Sequence, residues 1–304
     1  MKIYINPTNE DWICDRIRQE FYFAHPKLCT HNFDEADIAW IISPWAFPYL
    51  KPLKFKKNII SIFHIVPEKF DLSKLKALNE VASAFHTICD QTKEFIQNYV
   101  TKPIYMEPFW VNQHIWKPED KIKCREDLNI PLDSFLIGSF QRDTEGSDQI
   151  SPKLEKGPDQ FCHIVESIHK KNHKAHVLLG GWRRQYVMSR LRKSNIPFTY
   201  MERPPFKVLN QMYNALDLYI VASRHEGGPQ SIPECCATFT PIISTNVGCA
   251  SSFLNEKSIF TYPHYEACEP TIALHENYST AATKMVPHGF TPFLKMFENL
   301  NENS

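Results

Sequence analysis

Short apolar runs bounded by turn residues recur along the chain, and the segments between them carry helical periodicity. This alternation constrains the fold more than any other feature. KIYI, ADIAWII, NIISIF, HTIC and PIYM are separated by helical patterns such as Asn9 to Phe23, Leu72 to Phe85 and Gln91 to Val100. FLIGSF, AHVLLG, FTYM, LYIVAS and PIIST then repeat the arrangement, with helices such as Asp159 to Lys171 and Tyr186 to Lys193. Strand-like runs alternating with helices predict parallel sheets covered on both faces, the α/β class. At 304 residues and 43% hydrophobic content, the chain can fill two cores of ~150 residues each.

Glycine placement separates the two halves. All nine glycines fall at or after Gly138, so the residues before it contain no glycine-rich phosphate loop. A nucleotide site is therefore expected in the second half. Its focus is a pair of glutamates, Glu226 and Glu234, between the apolar run Leu218 to Ala222 and a helix-like run from Glu234 to Phe239. An apolar run that short reads as a buried parallel strand, which makes Ser223 to Ser231 the loop at its carboxyl end. Ligands of open α/β sheets bind at such loops. Glu226 could accept hydrogen bonds from sugar hydroxyls and Glu234 from a ribose diol, with backbone amides at the helix start facing a phosphate. Gly227, Gly228, Pro229, Gln230 and Ser231 make up the connection. Pro229 has no N–H to give, so that contact falls to Gly228, Gln230 or Ser231. The same residues also fit a plain helix start, because Ser231-x-x-Glu234 is a capping box with Pro233 tolerated in the first turn.

Charge and cysteine usage narrow the partners. Lys+Arg and Asp+Glu both number 34, so no global field favours a polyanion and nucleic acid is a poor partner. Nine cysteines without C-x-x-C suggest reduced thiols in a cytosol. No secretory segment opens the sequence, and no run approaches the ~18 apolar residues of a membrane span. No D-x-D lies between an apolar strand and a turn, so no metal site is expected. Two basic stretches stand out. LKPLKFKKN (50–58) sets Lys51, Lys54, Lys56 and Lys57 among Leu50, Leu53 and Phe55, which suits an anionic bilayer surface, though an ordinary wet edge fits it better. In WRRQYVMSRLRK, Arg183 and Arg184 follow Gly180 and Gly181 at a strand end, which directs one of them toward a donor; Arg190 and Arg192 read as solvated.

The run DLYIVASRHEGGPQSIPECCATFTPIISTNVG, Asp217 to Gly248, resembles the signature of family 4 glycosyltransferases, the glycosyl transferases group 1. FLIGSFQRD followed by KLEKGPDQF resembles that family's strand, arginine and E-K-G entry into a helix. FHTICDQTKEFIQNYV, then PIYMEPFWVNQHIWKP, matches its hinge approach in order and spacing. The likeness covers roughly residues 58–254. It implies the GT-B architecture, two Rossmann-like domains with parallel sheets facing a central cleft. Residues 1–112 would form the acceptor side, with a terminal helix at about 290–304 packing back on it. Residues 113–289 would form the donor side, with a hinge at Pro108 to Pro118.

The activity so implied is a metal-independent, retaining hexosyl transfer, without a cofactor, from a UDP- or GDP-linked sugar to a saccharide or lipid-linked acceptor. It would serve glycan or polysaccharide biosynthesis in the cytoplasm or on the inner membrane face. Its catalytic residues would be Glu226, Arg142, Lys156 and His64. Arg142 and Lys156 would hold the diphosphate, and Gly157 would allow close backbone approach to it. Donor contacts would come from Glu234, residues 227–231, Gly181, Arg183 and Arg184. Asn6, Pro7 and Thr8 stand where relatives carry glycines, which leaves a phosphate contact there unsupported. A non-catalytic nucleotide-sugar-binding subunit or a GT-B-type epimerase would share the fold, but the cationic pair favours a transferase.

Overall fold

The computed structural model describes residues 1–9, 13–47 and 50–302. The chain forms two compact units, Met1–Trp110 with Val286–Ser304, and Val111–Met285.

The first unit holds a five-stranded sheet in the order β1-β2-β3-β4-β5, with every pairing parallel. Its strands are β1 (Ile3–Ile5), β2 (Ile38–Ile41), β3 (Lys57–Ser61), β4 (Ala84–Thr87) and β5 (Ile104–Met106). β2 and β4 are buried along their whole length, as strands covered on both faces must be. The helix Ile13–Ala24 buries Ile17 and Phe21 against this sheet. The final helix, Thr291–Glu302, puts Phe293 and Phe297 into the same core, the Phe293 ring 5.4 Å from that of Trp40. Lys57 Nζ donates to the Asn301 carbonyl near the end of that helix, at 2.7 Å.

The second unit holds a six-stranded sheet in the order β11-β10-β9-β6-β7-β8, again entirely parallel. Its strands are β6 (Phe135–Ser139), β7 (Ala175–Gly180), β8 (Phe198–Met201), β9 (Leu218–Val221), β10 (Ile242–Thr245) and β11 (Ile259–Phe260). The chain runs outward from β6 through β7 to β8, then returns to place β9 on the other side of β6. That reversal is the topological switch point, and the carboxyl ends of β6 and β9 flank the crevice it opens.

Two expectations need correction, and one strand was not anticipated. The helix read as Leu72 to Phe85 ends at Val81, and Ala84 and Phe85 open β4. Their apolar side chains suit either element, and pairing with Ile59 and Ile60 of β3 decides for the strand. The helix beyond Glu226 starts at Ser231 and ends at Ala237, not Glu234 to Phe239. β11, two residues long, is too short to leave a periodic signal. Part of the first predicted helix, residues 10–12, lies outside the described residues. Among the described residues, no helix is long and apolar enough to cross a membrane.

A buried polar chain crosses the first sheet. Trp40 Nε1 donates to Ser61 Oγ at 2.8 Å, Ser61 Oγ lies 2.9 Å from His86 Nδ1, and His86 Nε2 lies 2.9 Å from the Glu107 carbonyl. With the Ser61 hydroxyl accepting from the indole and Nε2 facing a carbonyl, the neutral Nε2–H tautomer satisfies every group. Burial lowers the His86 pKa from 6.5 to about 4. Between those values the unfolded chain binds more protons than the folded one, so stability falls as pH drops from 6.5 toward 4, by about 3 kcal/mol from this group. Denaturant unfolding across that range should show the loss, and His86→Gln should remove most of it. A wild-type curve no steeper than the variant's would contradict the assignment.

Candidate active site

The carboxyl ends of β6, β9 and β10 are stitched together by backbone and side chain. Gln141 Nε2 donates to the Lys156 carbonyl at 2.8 Å, and Ser223 Oγ to the same carbonyl at 3.3 Å. Arg224 and His225 give their amides to the Glu155 carbonyl at 2.8 and 3.1 Å, and Thr245 Oγ1 donates to the Ser223 carbonyl at 2.6 Å. Arg224 grips Asp159 with two bonds of 2.8 and 2.7 Å. Gly157 makes this closeness possible. It sits at φ +60°, and a Cβ there would come within 1.7 Å of the Ala222 carbonyl oxygen. The close approach that this glycine permits is to the chain just beyond β9.

Within this frame Lys156 and Glu226 meet. Lys156 Nζ lies 2.5 Å from Glu226 Oε2, and Ser223 Oγ donates to Oε1 at 3.1 Å. The Glu226 side chain is only 6% exposed against 23% for Lys156, so the carboxylate is held down while part of the cation still faces solvent. Gly248, which the sequence reading passed over, supports the loop beyond: at φ +53°, its Cβ would come within 2.6 Å of the Gly227 carbonyl oxygen. A glycine three residues beyond β10 was the available signal. Pro229 accepts from Cys249 Sγ at 3.9 Å and Gln230 Nε2 donates to the Gly228 carbonyl at 3.3 Å.

Ser231 and Glu234 do not form a capping box. The N-cap residue is Gln230, it makes no side-chain cap bond, and Ser231 is already helical. The Glu234 carboxylate turns instead to the neighbouring helix Phe206–Ala215, where it accepts from Tyr213 Oη at 2.8 Å. Burial, and then the Glu234 charge, raise the Tyr213 pKa well above 10.0, which keeps the phenol a donor. Tyr219 Oη accepts from the Phe140 amide at 2.9 Å, which ties β9 to the end of β6. Nothing but an aromatic helix position marked Tyr213 in the sequence. Tyr213→Phe removes a buried donor from a charged acceptor and should cost about 1–3 kcal/mol, read as a lower denaturant midpoint. An unchanged midpoint would mean the bond contributes nothing.

The arginines separate sharply. Arg142 Nε donates to the Thr144 carbonyl at 2.6 Å, and its guanidinium lies 5.4 Å from the Trp182 ring centre, beside Arg183 at 4.7 Å. Arg184, expected near the donor, is 1% exposed. Its Nε meets Asp143 at 3.0 Å, Nη1 donates to the Gly180 carbonyl at 2.8 Å and to that of Ser139, and Nη2 to Ser139 Oγ at 3.1 Å. With those donors committed to closing the ends of β6 and β7, Arg184 is a structural residue and is withdrawn from the donor site. Gly181 serves the same closure: at φ +90°, a Cβ would stand 3.0 Å from the Phe140 carbonyl oxygen.

The remaining expected residues lie in the first unit. His64 is exposed, three residues beyond the end of β3. Asn6 is buried and locked to Ser43 by bonds of 3.0 and 3.2 Å, and Thr8 binds Asp15 through its amide and hydroxyl at 2.9 and 2.5 Å. In the basic stretch, Lys56 donates to the Asp34 carbonyl at 3.2 Å and to that of Ala36, so with Lys57 two of the four lysines serve the fold. Lys51, Lys54 and Phe55 stay exposed. Among the described residues, no cluster of three or more His, Cys, Asp or Glu is placed to hold a metal.

Residues 149–269 match the family model described as glycosyl transferases group 1. No curated protein matches the sequence. Solved structures do match the fold. HepE of Anabaena, solved with UDP and glucose, is 13% identical with a TM-score of 0.77, covering 99% of both chains. A glycosyltransferase of Rickettsia africae is 16% identical with a TM-score of 0.69, covering 98% of this chain and 85% of its own. The sucrose-phosphate synthase of Thermosynechococcus elongatus is 17% identical with a TM-score of 0.62, covering 94% and 75%. The fold is that of the GT-B glycosyltransferases.

Proposed function

We propose that the chain is a retaining glycosyltransferase that moves a hexose from a nucleotide sugar to a saccharide or lipid-linked acceptor in glycan biosynthesis. The observation that carries this reading is the Lys156–Glu226 pair at the carboxyl end of β9, beside the switch point of the second sheet. A divided pair of this kind suits a ligand with both an anionic and a hydroxylated part. Lys156 with Arg142 takes the diphosphate, Glu226 takes the donor hydroxyls, and Glu234 takes the ribose. The match to glycosyl transferases group 1 covers this whole stretch apart from Arg142, and HepE, similar in fold, has been solved with UDP-glucose.

In the reaction, the anomeric carbon–oxygen bond to the diphosphate breaks and the acceptor oxygen bonds to that carbon from the same face. The departing phosphate oxygen takes the acceptor proton, so no protein base is required. Lys156 and Arg142 stabilise charge that grows on the leaving group as the bond breaks, which is where fixed cations lower a barrier most. Glu226 orients the sugar and stabilises its developing positive charge.

A panel of UDP-, GDP- and ADP-linked sugars tests the reading: one donor should be turned over, with the product anomer matching the donor's by NMR. Inversion, or tight binding without turnover of any donor, would overturn it. Because two side-chain cations serve the diphosphate, activity should survive excess EDTA. Loss that magnesium or manganese restores would contradict that part.

A further inference from the structure

The first sheet has a switch point of its own. After the helix Ile13–Ala24 the chain runs beside β1, where Cys29 bridges Ile3 in parallel, and then crosses to place β2 on the other side of that strand. The crevice such a reversal opens lies outside the carboxyl ends of the flanking strands. Asn6, directly after β1, and the turn Pro44–Ala46, shortly after β2, stand at those ends. Trp45, in the middle of the turn, is 63% exposed, whereas Trp40, Trp110 and Trp116 are at most 2% exposed. Among the described residues its indole has no hydrogen-bond partner and no aromatic neighbour.

Single apolar residues at a surface are ordinary, so exposure alone says little. What distinguishes Trp45 is how firmly the chain presents it at a ligand-binding end of the sheet. The Asn6 side chain clamps Ser43 twice, Nδ2 donating to its carbonyl at 3.0 Å and Oδ1 accepting from its amide at 3.2 Å. The Ala46 and Phe47 amides return to the Ser43 and Pro44 carbonyls at 3.1 and 3.3 Å, and the buried Phe47 ring packs 5.8 Å from that of Phe33. An indole held this way has little freedom left to lose when a ligand covers it. Beside it, Ser43 Oγ is buried without a hydrogen-bond partner, a cost that bonding to a ligand hydroxyl would remove.

We propose that Trp45 is a stacking platform for a sugar ring of the acceptor, so that the acceptor is gripped through a saccharide and not through a lipid chain; this rests on the transferase reading. A pyranose presents a face of C–H bonds and a rim of hydroxyls. The indole face covers the first, and the Ser43 hydroxyl, with His64 exposed after the neighbouring strand β3, suits the second. Residues 43–47 carry no charged side chain, so the turn offers no partner to an ionic headgroup. The exposed Lys54 and Phe55 precede β3 and therefore lie toward the opposite, amino ends of these parallel strands, which makes a bilayer the poorer occupant at Trp45.

Titration of maltose and of cellobiose into the full, UDP-loaded chain, followed by calorimetry and tryptophan emission, tests this. At least one disaccharide should bind and change the emission. Trp45→Ala should weaken that binding about tenfold and remove most of the emission change at an unchanged melting temperature, and Trp45→Phe should keep most of the affinity. No binding of either disaccharide, equal affinity in Trp45→Ala, or adsorption to phosphatidylglycerol vesicles that Trp45→Ala abolishes would overturn the proposal. Donor turnover together with undiminished disaccharide affinity in Trp45→Ala would remove the platform and leave the transferase reading standing. Disaccharide binding that depends on Trp45, in a chain that turns over no donor, would count against the transferase reading alone.

Discussion

Replacing Lys156 with alanine lowers kcat/KM by a factor on the order of a hundred or more, as the loss of one charge contact in a transition state does. The structure allows this substitution to be read cleanly. The frame at residue 156 is held by its carbonyl, which accepts from Gln141 and Ser223, and alanine keeps that carbonyl. What disappears is the Nζ group 2.5 Å from Glu226, and with it both the leaving-group cation and the partner of a carboxylate that is 6% exposed. Lys156→Arg should recover only part of the rate, because a planar fork does not replace a compact ammonium in that space. Arg142→Ala should show a fall of similar size. Steady-state kinetics with the preferred donor checks both, and wild-type turnover in the two alanine variants would remove the diphosphate assignment.

The fold was legible because parallel strands buried on both faces are uninterrupted apolar runs, and β2, β6, β7 and β9 stand out as such. Where an apolar stretch suits helix and strand alike, as at Ala84 and Phe85, only the pairing with β3 decides, and the sequence placed that boundary wrongly. At the site, Glu226 and Lys156 were visible through their neighbours, but that they would contact each other was not, since 70 residues separate them. Arg183 and Arg184 are adjacent and chemically alike, yet the turn sends one toward Trp182 and the other into the seam between β6 and β7. No local pattern reveals which goes where. Gly157 was recognised as a point of close approach, but its contact with Ala222 was not legible, because Ala222 comes near only in the folded sheet. Tyr213 and Trp182 went unnoticed because an aromatic on an amphipathic helix or in a loop has nothing in sequence to distinguish it.

The two glutamates carry the central claim, and they should fail differently. Glu226→Gln keeps a polar side chain beside Lys156 but removes the charge proposed to orient and stabilise the sugar, so transfer should fall by a factor on the order of a thousand while affinity for the bare nucleoside diphosphate is kept. In the proposed reading, Glu234→Gln acts on the ribose. Hydrogen bonds to a charged acceptor are worth about 1.5–3 kcal/mol, so nucleoside diphosphate affinity should drop roughly tenfold or more. The helix cap is not at stake, since Gln230 and not Ser231 occupies the N-cap position. Calorimetric titration of the preferred nucleoside diphosphate into wild type, Glu226→Gln and Glu234→Gln is therefore the most direct measurement. The account predicts near-wild-type affinity in the first variant and roughly tenfold weaker binding, or worse, in the second. Unchanged affinity in Glu234→Gln, or a loss confined to Glu226→Gln, would contradict it.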